Sequence, residues 1–393
     1  RNYVLTASGG RLNVESIFPQ DLNGNKMEYL DLDISSDEYV TANDDQKLFE
    51  SISRAFNAKY SDKFNASKAA IESRGFYYDN VMVGLQMPNE SGKEITSHEG
   101  NGSAFGDITL GRYGYRIGEY EVLQTSSLGG WSGSLDAAPA HEYLHSRGAI
   151  DLYKLSGASK PAAYWDIMAS AIPSLLPLAV TREDMGWGDV NFVDSGEYEL
   201  GTYTSGSRYA VAFKSSMNDD EYFVAEYRKG DVSGANGYKA DKRLGNKSSF
   251  DSSGSKDGLV VYRVSNRYGT YKRGGDGTGN RIDGHDYIYI FRNGDSNEEN
   301  PGGDGAASIY DASLKSGQSY GSSDASAGIH DNALCFSDGT NSMIKVSVES
   351  IDGEKLRMRI DIPEYDSNAF WDVQPSTQNN AKSFDAIGAT HFS

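Results

Sequence analysis

An α+β fold in two unequal parts is what the sequence predicts, and three observations predict it. The first 190 residues interleave helical and strand periodicities, with one glycine-rich loop feeding a helical segment near 137–147. From about 190 onward, short β-branched and aromatic runs follow one another with no helical segment between them. The composition agrees: 44 glycines and 26 tyrosines among 393 residues suit turns and strands. The expected division is therefore a mixed region over 1–190, a β-rich, sandwich-like region over 191–363, and a tail or the start of a further region over 364–393.

In chain order, "RLNVESIF" (11–18) alternates with a period of two and predicts a strand. "NDDQKLFESISRAFNAKY" (43–60) puts Leu48, Phe49, Ile52, Phe56 and Tyr60 on one helical face, with Asn43 or Asp44 as the cap. "DNVMVGLQM" (79–87) is a short valine-rich run, expected as a buried strand, and "EYEVLQT" (119–125) is a second. "GGWSGSLDAAPAHEYLHSRG" then supplies a loop, a serine or aspartate cap, a helix and a stop at Gly148, where glycine allows a left-handed turn. Beyond 190, "GEYELGTY", "RYAVAFKS", "EYFVAEYRK", "GLVVYRVS", "HDYIYIFRNG", "MIKVSVESI" and "KLRMRIDI" read as successive strands. The polar stretches 229–258 and 293–328 are too long for simple turns. There is no internal repeat.

Thirty-seven basic against 56 acidic residues leave a formal charge of −19. Phosphate backbones and anionic membrane surfaces would be repelled, so no nucleic-acid partner is expected. Cys335 is the only cysteine, which excludes an intrachain disulfide and any cysteine-based metal site. No run of about 18 apolar residues predicts a membrane span. An opening on Arg1 reads as a processed or trimmed chain.

The segment that carries chemistry is "AHEYLHSRGAIDLY" (140–153). Residues four apart share a helical face, so His141 and His145 can present imidazole nitrogens to one point, and neutral imidazole is a good zinc ligand. Glu142, offset around the helix, can reach a water at that point and serve as general base. Gly148 breaks the helix, and Asp151, ten positions after His141, falls where the chain doubles back to offer a third ligand. The plainer alternative is a half-exposed helix whose histidines only hydrogen-bond to neighbours. Downstream, "YWDIMAS" (164–170) sets Met168 in a tight apolar turn; an isolated methionine would be ordinary core packing.

With HExxHxxGxxD and a following methionine turn, the chain resembles the immune inhibitor A family of secreted bacterial zinc metallopeptidases. "SGGRLNVESIF" is similar to an early strand of that family's catalytic domain, "WDIMAS" to its methionine turn, "TREDMGW" (181–187) to the next helix, and "EYFVAEYRK" and "DGLVVYRV" to strands of its trailing β-region. The resemblance covers roughly residues 8–362. It implies a zincin-like catalytic domain with a mixed twisted sheet and an active-site helix, zinc held by His141, His145 and Asp151, Glu142 as the catalytic base, and Met168 as the floor of the site. It further implies endopeptidase action on extracellular proteins or peptides, secretion, a propeptide and structural calcium. Arg147, Ala149-Ile150, Lys154 and Arg263 depart from the family pattern without removing a ligand or the base.

Calcium candidates are Asp295, Asn297, Glu298, Glu299 and Asp304, with a solvated loop as the equal alternative; Asp21, Asn23 and Asn25 read as a polar turn. His98, His285, His330 and His391 lack ligand spacing, and Tyr153 and Tyr164 flank the ligand region, where packing is the stronger expectation and stabilisation of an oxyanion the alternative. A competing expectation is a cell-surface or glycan-binding β-module protein with a vestigial protease domain; a zinc hydrolase acting on something other than peptides is a weaker one.

Overall fold

The computed structural model describes residues 1–14, 30–35, 38–39, 41, 44–60, 77–85, 98–105, 108–110, 115–124, 137–153, 161–172, 174–245, 256–265, 281–282, 285–293 and 309–364. Within them the fold is mixed α+β, dominated by sheet. No helix among the described residues is long and apolar enough to cross a membrane.

A short helix α1 (Asn2–Ala7) precedes α2 (Asp45–Tyr60). Asp44 caps α2, its Oδ1 accepting from the Lys47 amide at 3.2 Å. Leu48, Phe49, Ile52 and Phe56 are all buried, as their spacing requires. They pack on a first sheet of β1 (Tyr77–Leu85), β2 (His98–Asn101), β3 (Thr109–Leu110) and β4 (Tyr115–Gln124), meeting Tyr120 and Val122 of β4. Burying each such side chain contributes on the order of 1.5–3 kcal/mol. β1 runs parallel to β4, while β2 and β3 pair with β4 antiparallel. The expected strand over 11–18 does not begin in residues 11–14, where Arg11 instead bonds Asp189 at 2.6 Å and the Trp187 carbonyl; residues 15–18 lie outside the described residues.

Next come α3 (Ala137–Ser146) and α4 (Ala179–Asp184), then β5 (Asn191–Phe192), β6 (Gly196–Gly201), β7 (Ala210–Phe213), β8 (Glu221–Arg228), β9 (Gly258–Ser265), β10 (Ile288–Ile290), β11 (Ser319–Tyr320), β12 (Lys345–Asp352) and β13 (Lys355–Asp361). A five-stranded sheet runs β10-β9-β8-β7-β5 and a four-stranded one β11-β12-β13-β6. Phe223, Ala225 and Tyr227 of β8 and Leu259 and Val261 of β9 meet Leu356, Met358 and Ile360 of β13 in one apolar layer, so the two sheets stack face to face.

The other face of the five-stranded sheet is covered too. Val224, Val260, Tyr262 and Ile288 share a core with Ala140 and Leu144 of α3 and with Trp165, Ile167 and Met168. That double coverage explains why "GLVVYRVS" reads as a continuous apolar run, since every residue of β9 is buried. One core therefore runs across residue 190, joining the helix that carries the histidines to the β-region behind it.

Candidate metal centre

The spacing of α3 places Ala140 and Leu144 into the core and His141, Glu142 and His145 on the remaining surface of the helix. The expected serine or aspartate cap lies outside the described residues. Its C-terminus is a Schellman turn: the Gly148 amide bonds the His145 carbonyl at 2.9 Å and the Ala149 amide reaches back to Leu144 at 3.1 Å. Gly148 has φ of 99°, a conformation open to glycine at little cost. The turn sends the chain back toward the histidines and delivers Asp151.

Three ligand atoms converge there. Asp151 Oδ1 lies 3.1 Å from His141 Nε2 and 3.2 Å from His145 Nε2, and the two Nε2 atoms are 3.2 Å apart. Zinc bonds of about 2.0–2.1 Å in tetrahedral arrangement put neighbouring ligand atoms roughly 3.3–3.4 Å apart, so this nearly equilateral triangle has the right edge. Both rings are anchored through their other nitrogen, His141 Nδ1 to the Ile167 carbonyl at 2.9 Å and His145 Nδ1 to the Ala149 carbonyl at 2.9 Å. That fixes the tautomer with both Nε2 lone pairs directed inward. The result is three acceptors facing one point, with Asp151 Oδ1 buried and lacking a hydrogen-bond donor.

Converging acceptors of this kind are stabilised by a proton or by a cation. Burial opposes charge on His145, but its bond to Asp151, the Asp151 charge, the Ala149 carbonyl and Glu142 together outweigh burial and push its pKa up to about 9. Burial likewise opposes ionisation of Asp151, and the two histidines overcome it, holding the carboxyl well below the usual range. A divalent cation would satisfy all three atoms at once, and the donor set of two imidazoles and one carboxylate suits zinc.

Glu142 is buried, with 7% of its surface exposed. Burial above all raises its pKa, with the histidines pulling against that and Asp151 adding to it. Facing α3 from β4 is Glu121, fully buried between the α2-facing Tyr120 and Val122. Its pKa is pushed up to about 7, by burial first, against the Asn80 hydrogen bond and with help from the Glu142 charge. On the edge strand β2, Glu99 is raised by burial and by a bond to Glu119.

Met168 is fully buried, and its carbonyl accepts from the Leu152 amide at 2.9 Å, next to Asp151. The turn at 165–170 thus touches both halves of the triangle through main-chain atoms, Ile167 holding His141 and Met168 holding the segment of Asp151. Tyr153 stands at the site: its ring lies 6.3 Å from that of His141, near parallel, and its hydroxyl bonds Asp151. The aspartate-leucine-tyrosine run was the signal available for it. Tyr164 packs against the core with φ of 67°.

His98 bonds Asp45 at 2.9 Å, on the α2 side of the first sheet, and His330 is exposed. The calcium candidates Asp295, Asn297, Glu298, Glu299 and Asp304 lie outside the described residues, as do Asp21, Asn23, Asn25 and His391; nothing is described of the His285 side chain. His141, His145 and Asp151 form the one group of three ligating side chains found among the described residues. Comparisons with protein-family models, with curated proteins and with solved structures found no match to this chain.

Proposed function

We propose that the chain is a secreted zinc-dependent endopeptidase with a zincin-like catalytic half, of the kind its HExxHxxGxxD segment and methionine turn resemble. The observation that carries the reading is the triangle of inward-facing acceptors with both Nδ1 atoms pinned to carbonyls. Zinc bound there supplies Lewis-acid polarisation of a carbonyl and acidifies water. Glu142 takes the proton of the attacking water and returns it to the leaving amine nitrogen; its raised pKa brings it nearer neutrality, where a base of this kind works best. His141 and His145 keep their orientation because Ile167 and Ala149 hold the far side of each ring. Tyr153 steadies the Asp151 carboxylate.

The test is Glu142→Ala in the full chain. It should keep one zinc per chain and lose casein cleavage by about 10²–10⁴-fold or more. Wild-type cleavage by that variant would sink the assignment of the base.

A further inference from the structure

We infer that Arg228, on β8 of the five-stranded sheet, is a positioning residue for the metal centre, so that the β-region sets the metal affinity of the helix in front of it. The inference rests on the reading of His141, His145 and Asp151 as metal ligands. Arg228 is 3% exposed, and its guanidinium forks to two main-chain carbonyls, one at the start of the methionine turn and one beyond it: Nη1 donates to Trp165 at 3.0 Å and Nη2 to Leu176 at 3.1 Å. Asp241 holds the fork in place, with Oδ1 2.9 Å from Nη2 and Oδ2 3.2 Å from Nε. Asp241 also accepts from the Leu176 amide at 2.8 Å, and its own amide donates to the Ser174 carbonyl at 2.7 Å.

Between those anchors lie the two carbonyls that face the ligands. Ile167 accepts from His141 Nδ1, and Met168 accepts from the Leu152 amide. Asp166 stiffens the turn from within, taking the Met168 amide on Oδ1 and the Leu178 amide and Thr181 hydroxyl on Oδ2, each at 2.7 Å. Tyr164 and Ser174, at φ of 67° and 61°, are left-handed non-glycine residues flanking the turn. Such conformations persist only where the surroundings over-determine them, and Arg228 with Asp241 provides that constraint beside both. An ammonium in place of the planar fork cannot hold two divergent carbonyls and a bidentate carboxylate together.

The experiment titrates the metal-free full chain with zinc at pH 7.5 against a competing fluorescent chelator. It compares wild type, Arg228→Lys, and Val261→Ala, a core change on the opposite face of the same sheet. Arg228→Lys should bind zinc up to about tenfold more weakly, the lower end of the range for loss of a ligand's own hydrogen-bond partner because Arg228 acts on the ligands through the turn, and its cobalt-substituted form should show shifted visible bands. Val261→Ala should lose thermal stability and keep its zinc affinity within about twofold, because loss of packing alone does not reach the ligands. A folded Arg228→Lys with unchanged affinity and unchanged cobalt bands overturns the inference. Should Arg228→Lys not fold, Asp241→Asn takes its place: about tenfold weaker zinc binding supports the inference and unchanged affinity overturns it. A wild-type chain that takes up no zinc overturns the metal-centre reading itself, an outcome distinct from wild type and variant binding equally.

Discussion

Two buried polar clusters grip the same stretch of chain, and they are built on opposite principles. Behind the methionine turn, Arg182 pairs with Glu226 at 2.8 Å and stacks on Tyr203 at 3.7 Å, while Arg228 pairs with Asp241 at 2.9 Å. Every charge there faces an opposite charge, and the Ala179 and Leu176 amides fill the remaining carboxylate positions. In front of the turn, His141, His145 and Asp151 bring three potential ligand atoms together. Burial does not separate scaffold from site, since both clusters are largely removed from water. Donor count does. The rear cluster sets opposite charges against one another and lays the Arg182 guanidinium, whose Nε and Nη1 meet no acceptor, over the Tyr203 and Tyr209 rings, whereas the front cluster converges acceptors, an arrangement a cation would stabilise.

Breaking the closed cluster should have the largest effect on stability. Glu226→Gln leaves the Arg182 guanidinium uncompensated inside the protein and should cost about 3–5 kcal/mol in urea unfolding. A loss below about 1 kcal/mol would mean that the rear cluster does not hold the fold together. The open cluster should respond in the opposite sense. At pH 10, where His145 is neutral, Asp151→Asn should leave the metal-free fold as stable as wild type or slightly more so, because an amide can donate to a histidine Nε2. The same substitution should weaken zinc binding by more than about 100-fold.

Proton linkage sharpens the comparison further. His145 is raised from an ordinary value near 6.5 to about 9, so its contribution to the metal-free protein is complete below pH 6.5 and fades as pH climbs through 9. Melting temperature with chelator present should fall across that window, by the equivalent of at most about 3 kcal/mol. Saturating zinc, which displaces the proton, should remove the fall; an identical fall with zinc bound would show that His145 is not a ligand. The smallest effect belongs to Tyr153→Phe, which removes one hydrogen bond to Asp151 worth about 1 kcal/mol and should weaken zinc binding roughly fivefold.

The front cluster was legible in the sequence because its geometry is local. Histidines four apart on a helix and a glycine that ends it bring Asp151 back within eleven residues, and the short-range rules of helix geometry are enough to foresee that. The atoms that orient the rings were not legible. They are the carbonyls of Ile167 and Ala149, and a carbonyl has no residue type to recognise. Nor was the rear cluster legible. In "EYFVAEYRK", Glu226 and Arg228 alternate with Phe223, Ala225 and Tyr227, as if one face met the core and the other water. The alternation is real, but both faces are covered, and which elements cover the second face depends on contacts across more than 40 residues of sequence. Strands after 190 were foreseen as strands; their order in two stacked sheets, and the sharing of one core with α3, required the fold.

The central claim is that these three side chains form a metal site, and equilibrium dialysis of the full chain against buffered zinc at pH 7.5 tests it most directly, on wild type beside the His141→Ala/His145→Ala double variant. One tightly held zinc per wild-type chain, and none at that site in the variant, is the expected result. A wild-type chain that retains no zinc, or a variant that retains as much as wild type, would contradict it.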